Sequence, residues 1–422
     1  MNAYQELRQR GMIHACTEGV DALLAAGPIT VYTGFDPTAP SLHVGSLLPI
    51  MALVHLQRHG HRPIALVGGG TGMIGDPSGK SVERQLLAPE ELARNLAGIR
   101  AQLERFLDFD GPAAARVVNN ADWLSTSRLI DFLRDVGKHF TVNVLLQKES
   151  VQRRLDSEEG MSYTEFSYVL LQAYDYLHLF DTYGCVLQMG GSDQWGNITA
   201  GVDLIRRKRG AKAHALVHPL VTTTAGRKFG KTEAGTVWLD PAQTSAFRFY
   251  QFWLNTDDRD AVRWLRCFTL LDESRIAELE TSLRERPAER EAQRALAREV
   301  TRAVHGETAL ARAEAATAVL FGGAEFGDLR ASELLEIFAD VPSREVAASR
   351  LDGGLTLVDA FAESGLVRSK GEARRLIESG GGYLNNRRIT ESDTQLAAND
   401  LIDGTVAVLR KGKKEYALIK KA

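Results

Sequence analysis

Over the first 220 residues, short apolar runs alternate with longer segments of helical periodicity. Ile29-Thr-Val-Tyr-Thr-Gly-Phe35, Pro63-Ile-Ala-Leu-Val-Gly68 and Val186-Leu-Gln-Met-Gly-Gly191 are short, largely apolar runs that close on turn residues, so each predicts a strand. Between them, the spacing predicts helices over Ser46–Arg58, Pro89–Phe106 and Glu165–His178, with another over Asn197–Lys208. Strands this apolar, separated by helices, predict a buried parallel sheet of the α/β class. Such sheets bind ligands beyond the carboxyl ends of their strands. From about residue 240 to 321 the pattern changes. Asp272–Leu320 is rich in Ala, Arg, Glu and Leu, with Pro287 as a helix boundary, and predicts a helical domain. Gly322-Gly323 opens a less regular stretch, Asp352-Gly353-Gly354 marks a second boundary, and the chain restarts as a small α+β unit.

Composition narrows the function classes. The 422 residues carry 51 Lys+Arg against 54 Asp+Glu, a formal charge of −3, and 44% are hydrophobic. That balance argues against a uniformly basic nucleic-acid coat, but totals hide asymmetry. From Leu366 to Ala422 there are 12 Lys+Arg and 7 Asp+Glu, whereas the preceding residues carry 39 and 47. The tail is basic and the body acidic. The most apolar run, Leu47–Leu56, is short and contains Pro49 and His55, so no membrane span is expected. The N-terminal segment contains Glu6 and Glu18 and has no apolar core, unlike a secretory signal. Cys16, Cys185 and Cys267 are far apart and odd in number, which fits a reducing, cytoplasmic setting better than a disulfide framework.

Five segments carry candidate chemistry. In Tyr32-Thr-Gly34-Phe-Asp36-Pro-Thr38-Ala-Pro-Ser-Leu-His43-Val-Gly45-Ser46 a strand runs through a Pro-bearing turn into a helix beginning near His43. A helix N-terminus attracts anions; His43 and Thr38 can donate to phosphate oxygens, and Gly45 lets a base or ribose approach. In Gly68-Gly-Gly-Thr-Gly-Met-Ile-Gly-Asp76-Pro-Ser-Gly-Lys80-Ser81 a dinucleotide fingerprint is formally present but runs into a turn instead of a helix. A phosphate-loop match also fails, because Ile74 stands where its first glycine belongs. Asp76 remains a candidate for an ammonium group. Tyr168, Gln172 and Asp175, spaced i, i+4 and i+7, share one helical face and point to a polar pocket or to solvent. Gly190-Gly191-Ser-Asp193-Gln194-Trp195 follows the third strand, with Asp193 and Gln194 suited to ribose hydroxyls or an amino group. Gly226-Arg-Lys228-Phe-Gly230-Lys231-Thr232 sets two lysines about a glycine, suited to clamping a polyphosphate. Each segment alone also has a plainer reading: a capped connection, a tight loop, a solvated helix face, an N-capped helix, a basic hairpin. His55, His59 and His61 at a helix end have no intervening glutamate and no nearby cysteine; cationic residues at a helix C-terminus explain them, and no metal site is expected.

Together and in this order, the five segments resemble the bacterial-type tyrosyl-tRNA synthetases among the class I aminoacyl-tRNA synthetases. His43-Val-Gly45-Ser46 is similar to the His-Ile-Gly-His signature, with Ser46 departing at the last position. Lys228-Phe-Gly-Lys231-Thr232 is similar to that family's form of the Lys-Met-Ser-Lys-Ser signature. The resemblance covers essentially the whole chain. Leu366-Val-Arg368-Ser-Lys370-Gly-Glu-Ala-Arg374-Arg375, with Gly380-Gly-Gly-Tyr-Leu-Asn-Asn-Arg387-Arg388, further resembles the S-four RNA-binding domain.

The resemblance implies a Rossmann-like parallel-sheet catalytic domain at 1–225. A Lys-loop and α-helical domain on the anticodon side follows at 226–321, then a linker at 322–352 and the S-four-type domain at 353–422. It implies that ATP activates L-tyrosine as tyrosyl-adenylate, with Mg2+ accompanying the nucleotide, and that tyrosine then passes to the 3′ end of tRNA(Tyr). Thr38, His43, Lys228, Lys231 and Thr232 would hold the phosphates. Tyr32 and Asp175 would meet the phenol oxygen, and Tyr168, Gln172 and Asp76, with Gln194, the rest of the tyrosine. Gly34, Asp36, His43, Gly45, Ser46, Gly191, Asp193 and Lys231 would line the ATP site. Arg368, Lys370, Arg374, Arg375, Arg387 and Arg388 would face RNA, in that family the long variable arm of the tRNA. A homodimer with its interface near residues 120–160 is also implied; Val136-Gly-Lys-His-Phe-Thr-Val-Asn-Val-Leu-Leu146 supplies apolar surface or core there. The competing reading is another amino-acid-activating class I synthetase, such as the tryptophanyl enzyme.

Overall fold

The computed structural model describes all residues except 79–87, 156–159, 225, 227–228, 233–234, 323–325, 327–328, 340 and 413–414. Lys228 and the segment Gly79-Lys80-Ser81 thus fall outside the described residues, and of Lys231 and Thr232 only the backbone is described. The chain gathers into two compact units, one of Met1–Ser245 with Phe252–Val304, the other of Ala246–Gln251 with His305–Ala422.

In the first unit, helices α1 (Ala3–Gln9) and α2 (Val20–Ala26) accompany strands β1 (Ala15–Cys16) and β2 (Thr30–Phe35). Then come α3 (Leu47–Arg58), β3 (Arg62–Val67), α4 (Pro89–Leu103), β4 (Arg116–Asn119) and four short helices, α5 (Ala121–Leu124), α6 (Leu129–Asp135), α7 (Val142–Leu146) and α8 (Glu149–Leu155). The long α9 (Tyr163–Tyr183) leads to β5 (Cys185–Gly191), α10 (Trp195–Arg209) and β6 (His214–His218). The sheet order is β1-β6-β5-β2-β3-β4. Strands β2, β3 and β5, whose apolar runs predicted a parallel sheet, are parallel, and so are β4 and β6, but the edge strand β1 is antiparallel to β6, so the sheet is mixed. The strand pairing puts Tyr32 opposite Gln188, and Gly191 opposite His218. Alternation then divides the functional side chains between the faces. Tyr32 packs edge-on against Tyr176 of α9, while α3 covers the other face against β2, β3 and β5.

Local chemistry sets the helix ends. Ser162 caps α9 by accepting from the Glu165 backbone N–H, and Gly184, at φ 62°, closes it in the left-handed region. A turn over Val44–Ser46 leads into α3, which is buried on nearly every side. His55 and His59 at its end do not stand free as cations: both meet the Glu6 carboxylate of α1, at 3.0 and 2.5 Å, and burial lowers the His55 pKa. A small hairpin, β7 (Lys231–Thr232) with β8 (Gly235–Thr236), precedes α11 (Ala246–Leu254), α12 (Asp258–Phe268), α13 (Glu273–Glu285) and α14 (Glu291–His305).

The second unit holds α15 (Glu307–Gly322), α16 (Ala331–Ile337), β9 (Ser343–Val346), α17 (Ala348–Asp352), α18 (Leu357–Glu363) and α19 (Lys370–Glu378). Its sheet joins β9 to β10 (Gly382–Leu384), β11 (Arg387–Arg388), β12 (Val406–Lys411) and β13 (Glu415–Lys421) in the order β11-β10-β12-β13-β9. The stretch read as a linker therefore contains α16, β9 and α17, with β9 pairing parallel to β13. Ala407, Leu409, Ala417 and Ile419 pack with α18 and α19, whereas Val406, Val408, Tyr416 and Leu418 pack with α15 and α16. Period-two alternation thus buries both faces of this sheet. Among the described residues, no helix is long and apolar enough to cross a membrane.

Candidate active site

A cavity of about 620 Å³ opens in the first unit beyond the carboxyl ends of β2, β5 and β6. It is lined by Gly34, Asp36, Thr38, His43, Gly45, Ser46, Asp76, Tyr168, Gln172, Gly191, Asp193 and Gln194, which sequence reading had drawn from four separate segments. Tyr32 and Asp175 are buried, at 1% and 2% exposure, instead of forming part of the lining.

The carboxylates are held by specific donors. Asp175 Oδ1 accepts from Trp123 Nε1 at 2.7 Å and Oδ2 from Asn120 Nδ2 at 2.9 Å. Burial pushes its pKa up to about 7, against those two donors and with a smaller push from the Asp36 charge. The Tyr32 hydroxyl has no partner among the described residues, and burial, then the charge of Asp175, raises its pKa well above the ordinary phenol range. A buried carboxylate and a buried unpartnered hydroxyl therefore share one neighbourhood on the α9 face.

The next layer joins residues assigned above to different ligands. Tyr168 OH donates to Asp36 Oδ2 at 3.0 Å, and Thr71 Oγ1 to Asp36 Oδ1 at 2.9 Å. Asn120 also donates to Thr71 Oγ1 at 2.9 Å, so Asp36 and Asp175 are linked through two neutral side chains. Asp76 accepts from Gln194 Nε2 at 2.6 Å and from the Ser78 backbone N–H at 2.8 Å. Burial, then the Asp76 charge, raises the Asp193 pKa. Gln172 Oε1 is buried without a partner among the described residues.

The other wall brings the first and fifth segments together. His43 Nδ1 accepts from the Gly45 N–H at 3.0 Å and caps the turn into α3. Val44 N–H donates to Val237 O, Leu239 N–H to Leu42 O, and Val237 N–H to Gly230 O. Gly230 has φ +79°, and a Cβ there would lie 2.5 Å from Val44 Cγ2, so only glycine allows this approach. Phe229 anchors the segment among Phe252, Trp253, Trp264 and Phe268, stacking on Phe268 at 5.5 Å.

Sequence reading missed Asn120, Trp123 and Thr71. The first two follow β4, whose half-buried Arg-Val-Val-Asn is too short to stand out as a strand. Asn119-Asn120, straddling its end, is the available signal, because adjacent amides at a strand's carboxyl end suit a site. In the second unit Arg368, Lys370, Arg374, Arg375, Arg387 and Arg388 are all exposed; Lys370 pairs with Asp359 at 2.7 Å, and Arg388 donates to the Gly380 carbonyl at 2.8 Å.

Residues 24–322 match the family described as "tRNA synthetases class I (W and Y)", and residues 333–419 match "Tyrosine--tRNA ligase SYY-like C-terminal domain". A curated "Tyrosine--tRNA ligase" of Roseiflexus castenholzii is 55% identical over 417 residues, covering 98% of both chains. One from Anaeromyxobacter dehalogenans is 54% identical over 422 residues, covering 99% of both. Among solved structures, a C-terminally truncated mitochondrial tyrosyl-tRNA synthetase of Aspergillus nidulans superposes with a TM-score of 0.69 at 30% identity, over 76% of this chain and 94% of that one.

Proposed function

The chain belongs to the tyrosyl-tRNA synthetases of class I, and from that premise we propose how its cavity attaches tyrosine to tRNA at the expense of ATP. A tyrosine carboxylate oxygen attacks the α-phosphorus of ATP. The bond to the bridging oxygen breaks, and pyrophosphate leaves. A terminal ribose hydroxyl of the tRNA then attacks the carbonyl carbon of tyrosyl-adenylate, and AMP leaves. Neither step needs a covalent enzyme intermediate, so the protein acts by positioning and by stabilising charge.

The observation that carries the tyrosine assignment is the Asp175–Tyr32 neighbourhood. Asn120 and Trp123 use donors on both Asp175 oxygens, leaving lone pairs to accept a phenol O–H, while the unpartnered Tyr32 hydroxyl can meet the same oxygen. Phenylalanine would leave both groups buried and unpaired, an effect for which tyrosyl-tRNA synthetases are themselves the standard example. Tyr168, Gln172, Asp76 and Gln194 would hold the ammonium side. Tyr168 would reach it with its hydroxyl oriented by Asp36, which supports a role for Asp36 beside the amino acid as well as the nucleotide.

Thr38, His43, Lys228, Lys231 and Thr232 would grip the triphosphate, with Gly34, Gly45, Ser46, Gly191 and Asp193 against the nucleoside. The hydrogen bonds joining the His43 turn to Gly230 and Val237 support this grouping. Magnesium would accompany the phosphates of the nucleotide. The test is amino-acid-dependent exchange of pyrophosphate with ATP. Tyrosine must stimulate it far more than tryptophan or phenylalanine; equal stimulation by all three would refute the assignment.

Two further readings accompany this one. The exposed arginines of α19 and β11 support an S-four-type RNA-binding role for residues 353–422, with 1–225 as the activating domain. Leu129, Ile130, Val142 and Val144 expose 69, 72, 60 and 52% of their surface, respectively, supporting a homodimer interface on α6 and α7. Cys16, Cys185 and Cys267 are separate thiols, which suits the cytoplasm.

A further inference from the structure

Asn197 stands behind the corner of the cavity that holds Asp76. It lies in the first turn of α10 and is 5% exposed. It is not part of the cavity lining, whereas Asp76, Ser78 and Gln194 are. Alanine would serve the helix better, and a buried amide is costly unless its donors are met. Here they are met. Asn197 Nδ2 donates to Ser78 Oγ at 3.2 Å and to Gln194 Oε1 at 3.3 Å. The first bond reaches the loop that follows β3, and the second spans one turn at the start of α10.

Both bonds lead to the same carboxylate. The Ser78 backbone N–H donates to Asp76 Oδ1 at 2.8 Å, and Gln194 Nε2 donates to Asp76 Oδ2 at 2.6 Å. The result is a closed circuit, with Asn197 at one end and Asp76 at the other. Hydrogen-bond chemistry fixes its direction. A carboxylate only accepts, so Gln194 must turn Nε2 toward Asp76. Its Oε1 then faces the other way and needs a donor, which Asn197 supplies. The two Asn197 hydrogens thus hold the two groups that align the two Asp76 oxygens. Each of those oxygens keeps a lone pair for a further donor.

We infer that Asn197 is a positioning residue for tyrosine: by holding Ser78 and Gln194, it sets the Asp76 carboxylate to receive the substrate ammonium group. The inference rests on the proposed reading of the Asp76 corner as the ammonium subsite. Asn197 touches no reacting atom and acts through its two partners. It favours an amino acid over its deaminated counterpart, from a position in neither signature motif.

Analogues that carry or lack the ammonium group separate this role from a merely structural one. Asn197→Leu keeps the size of the side chain and removes both donors. Asn197→Ala removes them with a good helix former, and serves should the leucine variant not fold. In tyrosine-dependent pyrophosphate exchange, either variant should raise the KM for tyrosine about fivefold to tenfold, the scale of one lost hydrogen bond. The KM for ATP should stay within about twofold, because the triphosphate and nucleoside walls are not held by this circuit. Tyramine, which keeps the ammonium group and lacks the carboxylate, should lose as a competitive inhibitor by the same factor as tyrosine. The Ki of 3-(4-hydroxyphenyl)propionate, which lacks the ammonium group, should be the same in wild type and variant.

An unchanged tyrosine KM in a folded variant overturns the inference. So does an equal loss for 3-(4-hydroxyphenyl)propionate, because the whole pocket has then loosened. A rise in ATP KM that matches the rise for tyrosine overturns it too, as that is a structural role. If tyramine does not compete with tyrosine in the wild type, the ammonium reading of the Asp76 corner fails instead. Absence of tyrosine-dependent exchange in the wild type would undo the proposed function as a whole, which keeps these failures distinct.

Discussion

Replacing Trp123 by Phe tests the tyrosine pocket at the residue that sequence reading overlooked. The substitution keeps an aromatic face against His178, on which Trp123 stacks at 4.2 Å and 16°, but deletes the indole N–H that donates to Asp175 Oδ1 at 2.7 Å. A hydrogen bond to a charged group is worth ~1.5–3 kcal/mol, so kcat/KM for tyrosine should fall about 10- to 100-fold. The loss should be much smaller for phenylalanine, which never uses Asp175, and the tyrosine-to-phenylalanine ratio should fall accordingly. The pH dependence has a definite sign. Burial already holds Asp175 at about 7, with Trp123 among the groups pulling it down. Without that donor the pKa rises further, and the acid limb of kcat/KM for tyrosine should move to higher pH. Stability follows the same logic. In the unfolded chain this carboxyl ionises near the ordinary value of about 3.9, while the native form keeps its proton to higher pH. Between those values the unfolded state binds fewer protons, so the group's contribution to stability falls as pH rises. The variant extends that window upward, and its Tm should drop more steeply than wild type between pH 7 and 8. Pyrophosphate exchange with both amino acids, measured across pH alongside thermal unfolding, decides the matter. An unchanged tyrosine kcat/KM, or equal proportional losses for the two amino acids, would refute the reasoning.

Gly230→Ala places a Cβ 2.5 Å from Val44 Cγ2 at a φ of +79°, so the loop must shift. The exchange kcat should fall at least about tenfold while tyrosine affinity, measured by equilibrium binding, stays within about twofold, because only the phosphate wall is disturbed. The double variant Arg374→Ala, Arg375→Ala should weaken tRNA binding and reduce its salt slope by about two, leaving pyrophosphate exchange unchanged; an unchanged slope in a filter-binding titration would remove α19 from the RNA surface. Ile130→Glu sets a charge in the exposed apolar strip of α6 and should yield monomers by light scattering, whereas a persisting dimer would move the interface elsewhere.

What was legible in the sequence had local causes. The apolar runs at Ile29–Phe35 and Val186–Gly191 exposed the sheet, because strands buried on both faces need nothing else. The i, i+4, i+7 spacing of Tyr168, Gln172 and Asp175 exposed a polar face, because helix geometry alone sets it. The remainder depends on tertiary pairing. Asn120 and Trp123 reach Asp175 from more than 50 residues away, and nothing near either sequence marks the match. Asp36 sits in a segment that reads as nucleotide-facing, yet its carboxylate takes the Tyr168 hydroxyl. Glu6 turned two apparent helix-end cations into a carboxylate cluster.

The two units are interleaved along the chain, and this constrains dissection. Ala246–Gln251 belongs with the second unit although the residues on either side of it belong with the first. Phe249 meets His305 edge-on at 4.6 Å, and Gln251 Nε2 donates to Thr317 Oγ1 at 2.7 Å. A chain cut after Val304 would keep this half of each contact and discard the other. An aromatic ring and an amide would be newly bared on a helix that is otherwise retained. A truncated N-terminal piece therefore calls for polar replacement at Phe249, and an isolated C-terminal piece would lack the short strip that packs on its first helix. The chain passes from one unit to the other three times, at 245/246, 251/252 and 304/305, so no single cut separates them.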